Sequence, residues 1–214
     1  IMVTFYLLVS FLNNTTTGKS MGNNMSVTSW NPPSPQVPLD YLSKGEEIFY
    51  EAATSLSPVT DKVTSHSYQF MYGKFLLPYY YQNPSMKMLE IGLGCTMGYG
   101  PGASTALWKQ LFPLAEKWEA EFDAACVEKH RTGALKDFNV LVGDQGDPLV
   151  LDGWIDESGG SFDVVIDDGG NQNCQIWTIF LKLWPMVKSE GIYFSKVTKW
   201  REYNEICFYH AFLQ

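Results

Sequence analysis

The sequence is short of charge, and of positive charge most of all. Charged residues make up 18% of the chain, 15 Lys and Arg face 23 Asp and Glu, and the formal net charge is −8. No run of Lys and Arg gathers a basic patch, so long-range attraction to phosphate backbones or anionic headgroups is missing and nucleic acid is not an expected partner. Signature motifs are missing as well. There is no P-loop, no G-x-S-x-G and no H-E-x-x-H, which removes the NTPase, serine hydrolase and zinc protease classes. No internal repeat is found. The four cysteines, Cys95, Cys126, Cys174 and Cys207, form no C-x-x-C pair and have no His at metal-ligand spacing. They read as buried thiols, with a disulfide left open. No apolar run reaches the ~20 residues that cross a bilayer.

What is present describes a globular chain. Hydrophobic residues are 45% and aromatic ones 15% of 214 residues, enough for one domain with appendages and a ligand-sized interior. Residues 1–12 are an apolar segment, nearly uninterrupted from Met2 to Leu12. It is either the remnant of a signal peptide or signal anchor, giving membrane attachment through the N-terminus, or a stray non-globular end. The chain starts at Ile1 rather than Met, which leaves room for a longer membrane segment before it. Asn13, Asn14 and Asn24 each open an N-x-Ser/Thr pattern, relevant only in the secretory pathway. Secretory or membrane-attached and cytoplasmic locations therefore both stay open.

Residues 13–38 form a linker rich in Asn, Ser, Thr, Gly and Pro, centred on Asn31-Pro32-Pro33-Ser34-Pro35. Residues 39–84 are an N-terminal helical extension. Leu42, Ile48, Phe49 and Ala52 fit one helix over 39–56, and Thr64 to Tyr81 predicts a second, strongly aromatic one. From residue 85 to 214 short apolar runs alternate with amphipathic stretches, beginning with Met86 to Ile91 and reaching Gly191 to Phe194. Strict alternation of strand and helix predicts an α/β fold: a doubly wound, mostly parallel sheet with helices on both faces. Ligands of such sheets sit at the carboxyl ends of the strands near the point where strand order reverses.

The residues after each predicted strand carry the chemistry. The first is followed by Gly92-Leu93-Gly94, then by Gly98-Tyr99-Gly100-Pro101-Gly102 and a helix opening at Ala103-Ser104. Glycines let backbone pass close under a ligand, and a helix N-terminus favours a carboxylate, although such a stretch is as often a simple turn. The second strand ends in Glu121-Phe122-Asp123, where an acid can hold a ribose or merely start a helix. The third ends in Gly143-Asp144-Gln145, the fourth in Asp167-Asp168-Gly169-Gly170. Four such strand ends in succession are hard to obtain by chance.

Met88-Leu89-Glu90-Ile91-Gly92-Leu93-Gly94, Val142-Gly143-Asp144-Gln145 and Phe162-Asp163-Val164-Val165-Ile166-Asp167-Asp168-Gly169 resemble the S-adenosylmethionine (SAM)-dependent sugar O-methyltransferases of the macrocin and mycinamicin type. Asp61-Lys62 with His66-Ser67-Tyr68 resembles the segment these proteins carry before the first strand, and the insertion Cys95 to Gly102 is similar to that of fungal relatives. The resemblance runs from about Asp61 to Phe194. It implies a Rossmann-like methyltransferase domain that takes SAM and a small-molecule acceptor. Gly92 and Gly94 would lie under the methionine part, with Glu90 orienting the glycine loop. Glu121 would hold the ribose, Asp144 and Gln145 would face the adenine, and Asp167 would complete the cofactor set. No motif specifies the acceptor or an oligomeric state.

The catalytic half departs from that pattern. The family reads D-D-G-x-H, where the second Asp binds Mg²⁺ and the His is the general base; here Asp168 is kept, but Asn171 stands at the His position. An amide has no useful proton affinity near neutral pH, so His66 becomes the alternative base. After the fifth strand Ser195-Lys196-Val197 replaces an E-D pair, so Asp168 is left as the one metal-binding candidate of an incomplete site. The chain also ends at Gln214 before the last two strands, which predicts a truncated domain, abnormal from about Ser195 onward. An active O-methyltransferase and a catalytically silent SAM-binding or interaction protein both follow, and a Rossmann dehydrogenase is a weaker third. Tyr68, Tyr72, Tyr79, Tyr80 and Tyr81 read as core more than as pocket wall, and Trp108, Trp177 and Trp184 as helix-to-sheet packing.

Overall fold

A computed structural model describes residues 5–9 and 39–197. The chain enters as β1 (Phe5–Val9), followed by the helical extension α1 (Leu39–Thr54), α2 (Asp61–Thr64), α3 (Gln69–Met71) and α4 (Leu77–Gln82). It then alternates β2 (Lys87–Ile91), α5 (Ala103–Leu111), β3 (Glu116–Glu121), α6 (Ala124–His130), β4 (Asn139–Val142), α7 (Pro148–Ser158), β5 (Phe162–Asp167), α8 (Asn173–Leu183) and β6 (Val187–Val197). The linker 13–38 and the segment after Val197 lie outside the described residues.

The six strands form one sheet in the order β1-β6-β5-β2-β3-β4. All pairs from β6 to β4 are parallel, while β1 runs antiparallel along β6, from Phe5 opposite Val197 to Val9 opposite Tyr193. Strand order reverses between β2 and β5, which places the switch point there. Those two strands are central and buried along almost their whole length because helices cover both faces. On one face Phe49, Tyr72, Leu76, Trp108 and Phe112 pack on Met88, Val164, Ile166, Ile192 and Phe194. On the other, Leu151, Trp154, Ile179 and Leu183 pack on Leu89, Trp118, Leu141, Val165 and Tyr193. Tyr72 joins helix to sheet by edge-on ring contacts, 5.6 Å to Trp108 and 5.1 Å to Phe194 between centroids.

Three details differ from the sequence pattern. The aromatic helix predicted over 64–81 is broken: α2 ends at Thr64, and the helical run resumes at Gln69 with a π-turn over Tyr72–Leu76 before α4. Pro78 supplies no N–H to the carbonyl of Lys74, and its ring would press on that oxygen, so the wider turn relieves the conflict. The π-turn also brings Gly73 against Gly45 of α1, where a Cβ on either residue would collide with the other's backbone. Trp177 is the second exception, an exposed ring stacked 6.1 Å from Phe180 instead of packing on the sheet.

The third difference is covalent. Cys95 and Cys126 are not buried thiols but a disulfide, with Cα atoms 6.2 Å apart, and no described cysteine is free. Adjacent parallel strands β2 and β3 deliver the loop after one and the helix after the other to the same end of the sheet, a proximity that spacing alone does not reveal. The bridge closes a loop of sequence separation 31 over a small cluster of Leu93, Val127 and Leu135. Removing it by Cys126→Ser is expected to lower unfolding free energy by about 3 kcal/mol, the scale for a loop of this length. Denaturant melts of oxidised protein and the Ser variant measure this; coincident midpoints would show that the bridge contributes nothing.

Candidate functional site

Beyond the carboxyl ends of β2, β3, β4 and β5 lies a cleft of about 500 Å³, lined among others by Gly92, Gly94, Glu121, Asp144, Gln145, Asp168 and Asn171. Those seven sequence candidates are brought together. Three others are not on the wall: Glu90, Asp167 and His66 stand behind it.

The glycine loop is shaped for a close neighbour. Gly92 has φ +106°, and a Cβ there would sit 2.8 Å from the Asp168 carbonyl oxygen, so only glycine lets the loops after β2 and β5 meet at the switch point. Glu121 is fixed by the backbone: Oε2 accepts from Leu93 N–H at 3.1 Å, and Oε1 accepts from Phe122 and Asp123 N–H at 2.9 and 3.1 Å. A carboxylate has about four acceptor positions, so capacity remains toward the cleft. Asp123, the rival ribose acid, is instead the N-cap of α6, accepting from Ala125 and Cys126 N–H, both at 3.0 Å.

Asp144 accepts from Gly146 N–H at 2.8 Å and remains half-exposed on the wall. Gln145 uses its amide differently from the expectation that it faces an adenine. Its Nε2 donates to Asp167 Oδ1 at 3.2 Å and its Oε1 accepts from Gly170 N–H at 2.6 Å, tying the loop after β4 to that after β5. Asp167 thereby lies beneath Gln145, 2% exposed, with Oδ2 unpartnered.

Glu90 faces the helical layer and not the glycine loop. It is fully buried, accepts from Trp108 Nε1 at 2.6 Å, and pairs through Oε1 with the ammonium of Lys62 at 2.8 Å. Lys62, in α2 beside the N-cap Thr60, also reaches Asp168 Oδ2 at 2.8 Å. Burial works against its charge, but Asp168 and then Glu90 outweigh that and hold its pKa well above the usual lysine value. Glu119, directly opposite Glu90 on β3, is equally buried; burial and then the charge of Glu90 push its carboxyl well above the usual carboxylate range.

Asp168 is gripped from both sides. Lys196 lies 3.4 Å from its Oδ1 and stands on the cleft wall, opposite the Lys62 contact on Oδ2. Burial raises the pKa of Asp168, yet Lys62 and Lys196 hold it below the usual carboxylate range. Mg²⁺ does not fit this arrangement. Both carboxylate oxygens already face ammonium groups, and among the described residues no group of three His, Cys, Asp or Glu could hold a metal. Lys62 entered the sequence reading only as part of a resemblance, and Lys196 only as one of the residues that replace the family's E-D pair. No local pattern distinguishes a buried lysine from a solvated one.

His66 lies 3.9 Å from Asp61 Oδ2 and stacks on Tyr68 with centroids 4.6 Å apart. Burial and then the charge of Lys196 lower its pKa, so the ring is neutral at pH 7. Asp61, unlike His66, is on the wall.

Burial pushes the Asp167 carboxyl from its ordinary 3.8 up to about 7, despite the hydrogen bond from Gln145. Between those values the folded state holds the proton that the unfolded chain has lost. Stability from this group is thus complete below pH 3.8 and is lost as pH rises through about 7. Asp167→Asn keeps the Oδ1 acceptor and removes the titration. Its melting temperature should equal that of the wild type near pH 4 and exceed it increasingly toward pH 8, whereas curves that run parallel across that range would contradict the assignment.

No family model matches the chain. It is 30% identical over 162 residues to mycinamicin VI 2''-O-methyltransferase of Micromonospora griseorubida, a match covering 70% of this chain and 38% of that protein. Demethylmacrocin O-methyltransferase of Streptomyces fradiae is 31% identical over 153 residues, covering 65% and 36%. Among solved structures, MycE methyltransferase from the mycinamycin biosynthetic pathway in complex with Mg and SAH (S-adenosylhomocysteine) superposes with TM-score 0.55 at 30% identity, covering 68% of this chain and 38% of that one. The complex that also holds mycinamycin VI gives TM-score 0.55 at 29% identity, covering 68% and 37%. The chain therefore spans less than two fifths of the length of these relatives. Over the matched part it has the fold of a SAM-dependent methyltransferase and is a relative of the macrolide-pathway sugar O-methyltransferases.

Proposed function

We propose that this chain binds SAM and transfers its methyl group to a hydroxyl of a small molecule. The observation that carries the proposal is the switch-point cleft, in which a positive-φ glycine loop, the backbone-fixed carboxylate of Glu121 and Asp144 share one wall. Gly92 and Gly94 lie under the methionine part, whose carboxylate is favoured by the N-terminus of α5. Glu121 accepts from the ribose hydroxyls, and Asp144 is the adenine-side polar group. Asp167 supports the pocket through Gln145.

In the transfer, the acceptor oxygen bonds to the methyl carbon as the carbon–sulfur bond breaks and sulfur keeps that electron pair. The hydroxyl proton must pass to a base. His66 is neutral at pH 7 and lies 3.9 Å from Asp61, which lines the cleft, so it is the proton acceptor proposed here, in place of the amide at Asn171. A second use, cofactor binding without transfer, is favoured by one observation: the residue at the family's base position, Asn171, is on the wall while His66 is not.

Calorimetry with SAH tests the cofactor assignment. The wild type should bind it, and Glu121→Ala should weaken binding by about 1.5 to 3 kcal/mol, the scale of hydrogen bonds to a charged group. Asp123→Ala should leave the affinity unchanged and lower stability by about 1 kcal/mol through the lost helix cap. A folded wild type that ignores SAH and binds NAD would overturn the methyltransferase assignment in favour of a dehydrogenase.

A further inference from the structure

The acceptor end of the cleft contains an ion cluster that neither the resemblance nor the solved relatives assign. Asp168 is a carboxylate with both oxygens engaged, by Lys62 at 2.8 Å and by Lys196 at 3.4 Å. The two lysines are not equivalent. Lys62 is 2% exposed and divides its ammonium between Glu90 and Asp168, so it is a buried anchor. Both line the cleft, but Lys196 is 20% exposed. An ammonium has three N–H donors, so its contact with Asp168 leaves donors to spare.

We infer that the Lys196 ammonium takes the place at Asp168 where the solved relatives' family would put a divalent ion, making the acceptor end a metal-free site with a fixed positive charge toward the incoming oxygen. The inference rests on the methyl-transfer proposal for the identity of the oxygen, but not for the exclusion of the ion. Charge balance supports it. Two lysine ammoniums against the carboxylates of Glu90 and Asp168 balance the charge of the cluster. A dication added there would meet two ammonium groups at close range, and among the described residues no group of three His, Cys, Asp or Glu is placed to hold it. The ammonium also offers what the ion would offer to a hydroxyl that is losing its proton, a positive charge in a site with little competing water. Lys196 is thereby a positioning residue that fixes Asp168 and presents N–H donors to the acceptor.

The experiment measures bound Mn²⁺ by electron paramagnetic resonance on the full chain saturated with SAH, with SAH affinity recorded in parallel by calorimetry. Wild type should hold no Mn²⁺ at about 1 mM, the weak end of protein affinities for hard divalent cations. Lys196→Glu, which removes the ammonium and adds oxygen ligands beside Asp168, should bind Mn²⁺ at least about tenfold more tightly than wild type. Lys196→Arg keeps the charge and should exclude the ion as wild type does. SAH affinity should change less than about threefold across the series, because Lys196 lies on the acceptor side. Mn²⁺ binding by the wild type, or exclusion that persists in folded Lys196→Glu, would overturn the inference. If Lys196→Glu does not fold, Lys196→Gln replaces it, and gain of Mn²⁺ binding is again the expected result. Loss of SAH binding by the wild type would remove the methyltransferase proposal while leaving the Mn²⁺ comparison readable.

Discussion

The ammonium of Lys62 joins three parts of the molecule that are distant in sequence. It comes from the helical extension, pairs with Glu90 at the centre of β2 and with Asp168 just after β5, and lies over the Trp108 ring of α5 at 5.7 Å. These are the two strands that flank the switch point. Burying Lys62, Glu90 and Asp168 is unfavourable unless each is paired, and breaking such a pair from one side costs about 3 to 5 kcal/mol because a charge is left alone in the interior. The cluster therefore demands that extension, sheet and α5 assemble together. Its contribution lies less in net stability than in specifying one register, since a shift of α2 by a residue would leave Glu90 and Asp168 unpaired.

The same constraint explains how the cleft keeps its shape. Asp168 is held from the side by lysines, and its backbone carbonyl presses on Gly92, so the β2 and β5 loops are fixed relative to each other at the ligand end. Gln145 adds the third loop by bonding Asp167 and Gly170, and Glu121 adds the fourth edge through Leu93 N–H. The disulfide from Cys95 to Cys126 closes the glycine-rich insertion against α6. Each polar side chain at the strand ends is thus committed to protein before any ligand arrives. A pocket of this kind is pre-organised, and binding loses little side-chain freedom.

Much of this was legible in the sequence. The alternation after residue 85 gave the strands and helices to within a few residues, because period and turn chemistry are local. The wall residues Gly92, Gly94, Glu121, Asp144 and Asp168 were legible as well, since parallel strands must deliver their carboxyl ends to one side. What was not legible depends on partners remote in sequence. Gln145 was expected to face an adenine and turns to Asp167, 22 residues away. Glu90 was expected to act on the glycine loop and pairs with Lys62. His66 resembled a site residue but stands one layer behind the wall. The π-turn was hidden because aromatic periodicity cannot register the steric demand of Pro78.

The lysine pair also bears on how a metal site can be lost without loss of the fold. Removing carboxylates around a divalent ion would ordinarily strand the remaining ligand, and an unpaired, nearly buried aspartate would take up a proton or unfold its surroundings. Asp168 does neither, because Lys62 reaches it from the extension and Lys196 from the very segment where the family's acids would stand. One substitution thus removes a ligand and supplies a counter-ion. The lysines hold the Asp168 carboxyl below the usual carboxylate range, and the loop after β5 stays close against Gly92. On the inference above, the acceptor side is organised by a tethered monocation where the resemblance implies an exchangeable dication. Of those two, the tethered charge cannot be removed by chelation, but it reaches only as far as its side chain allows.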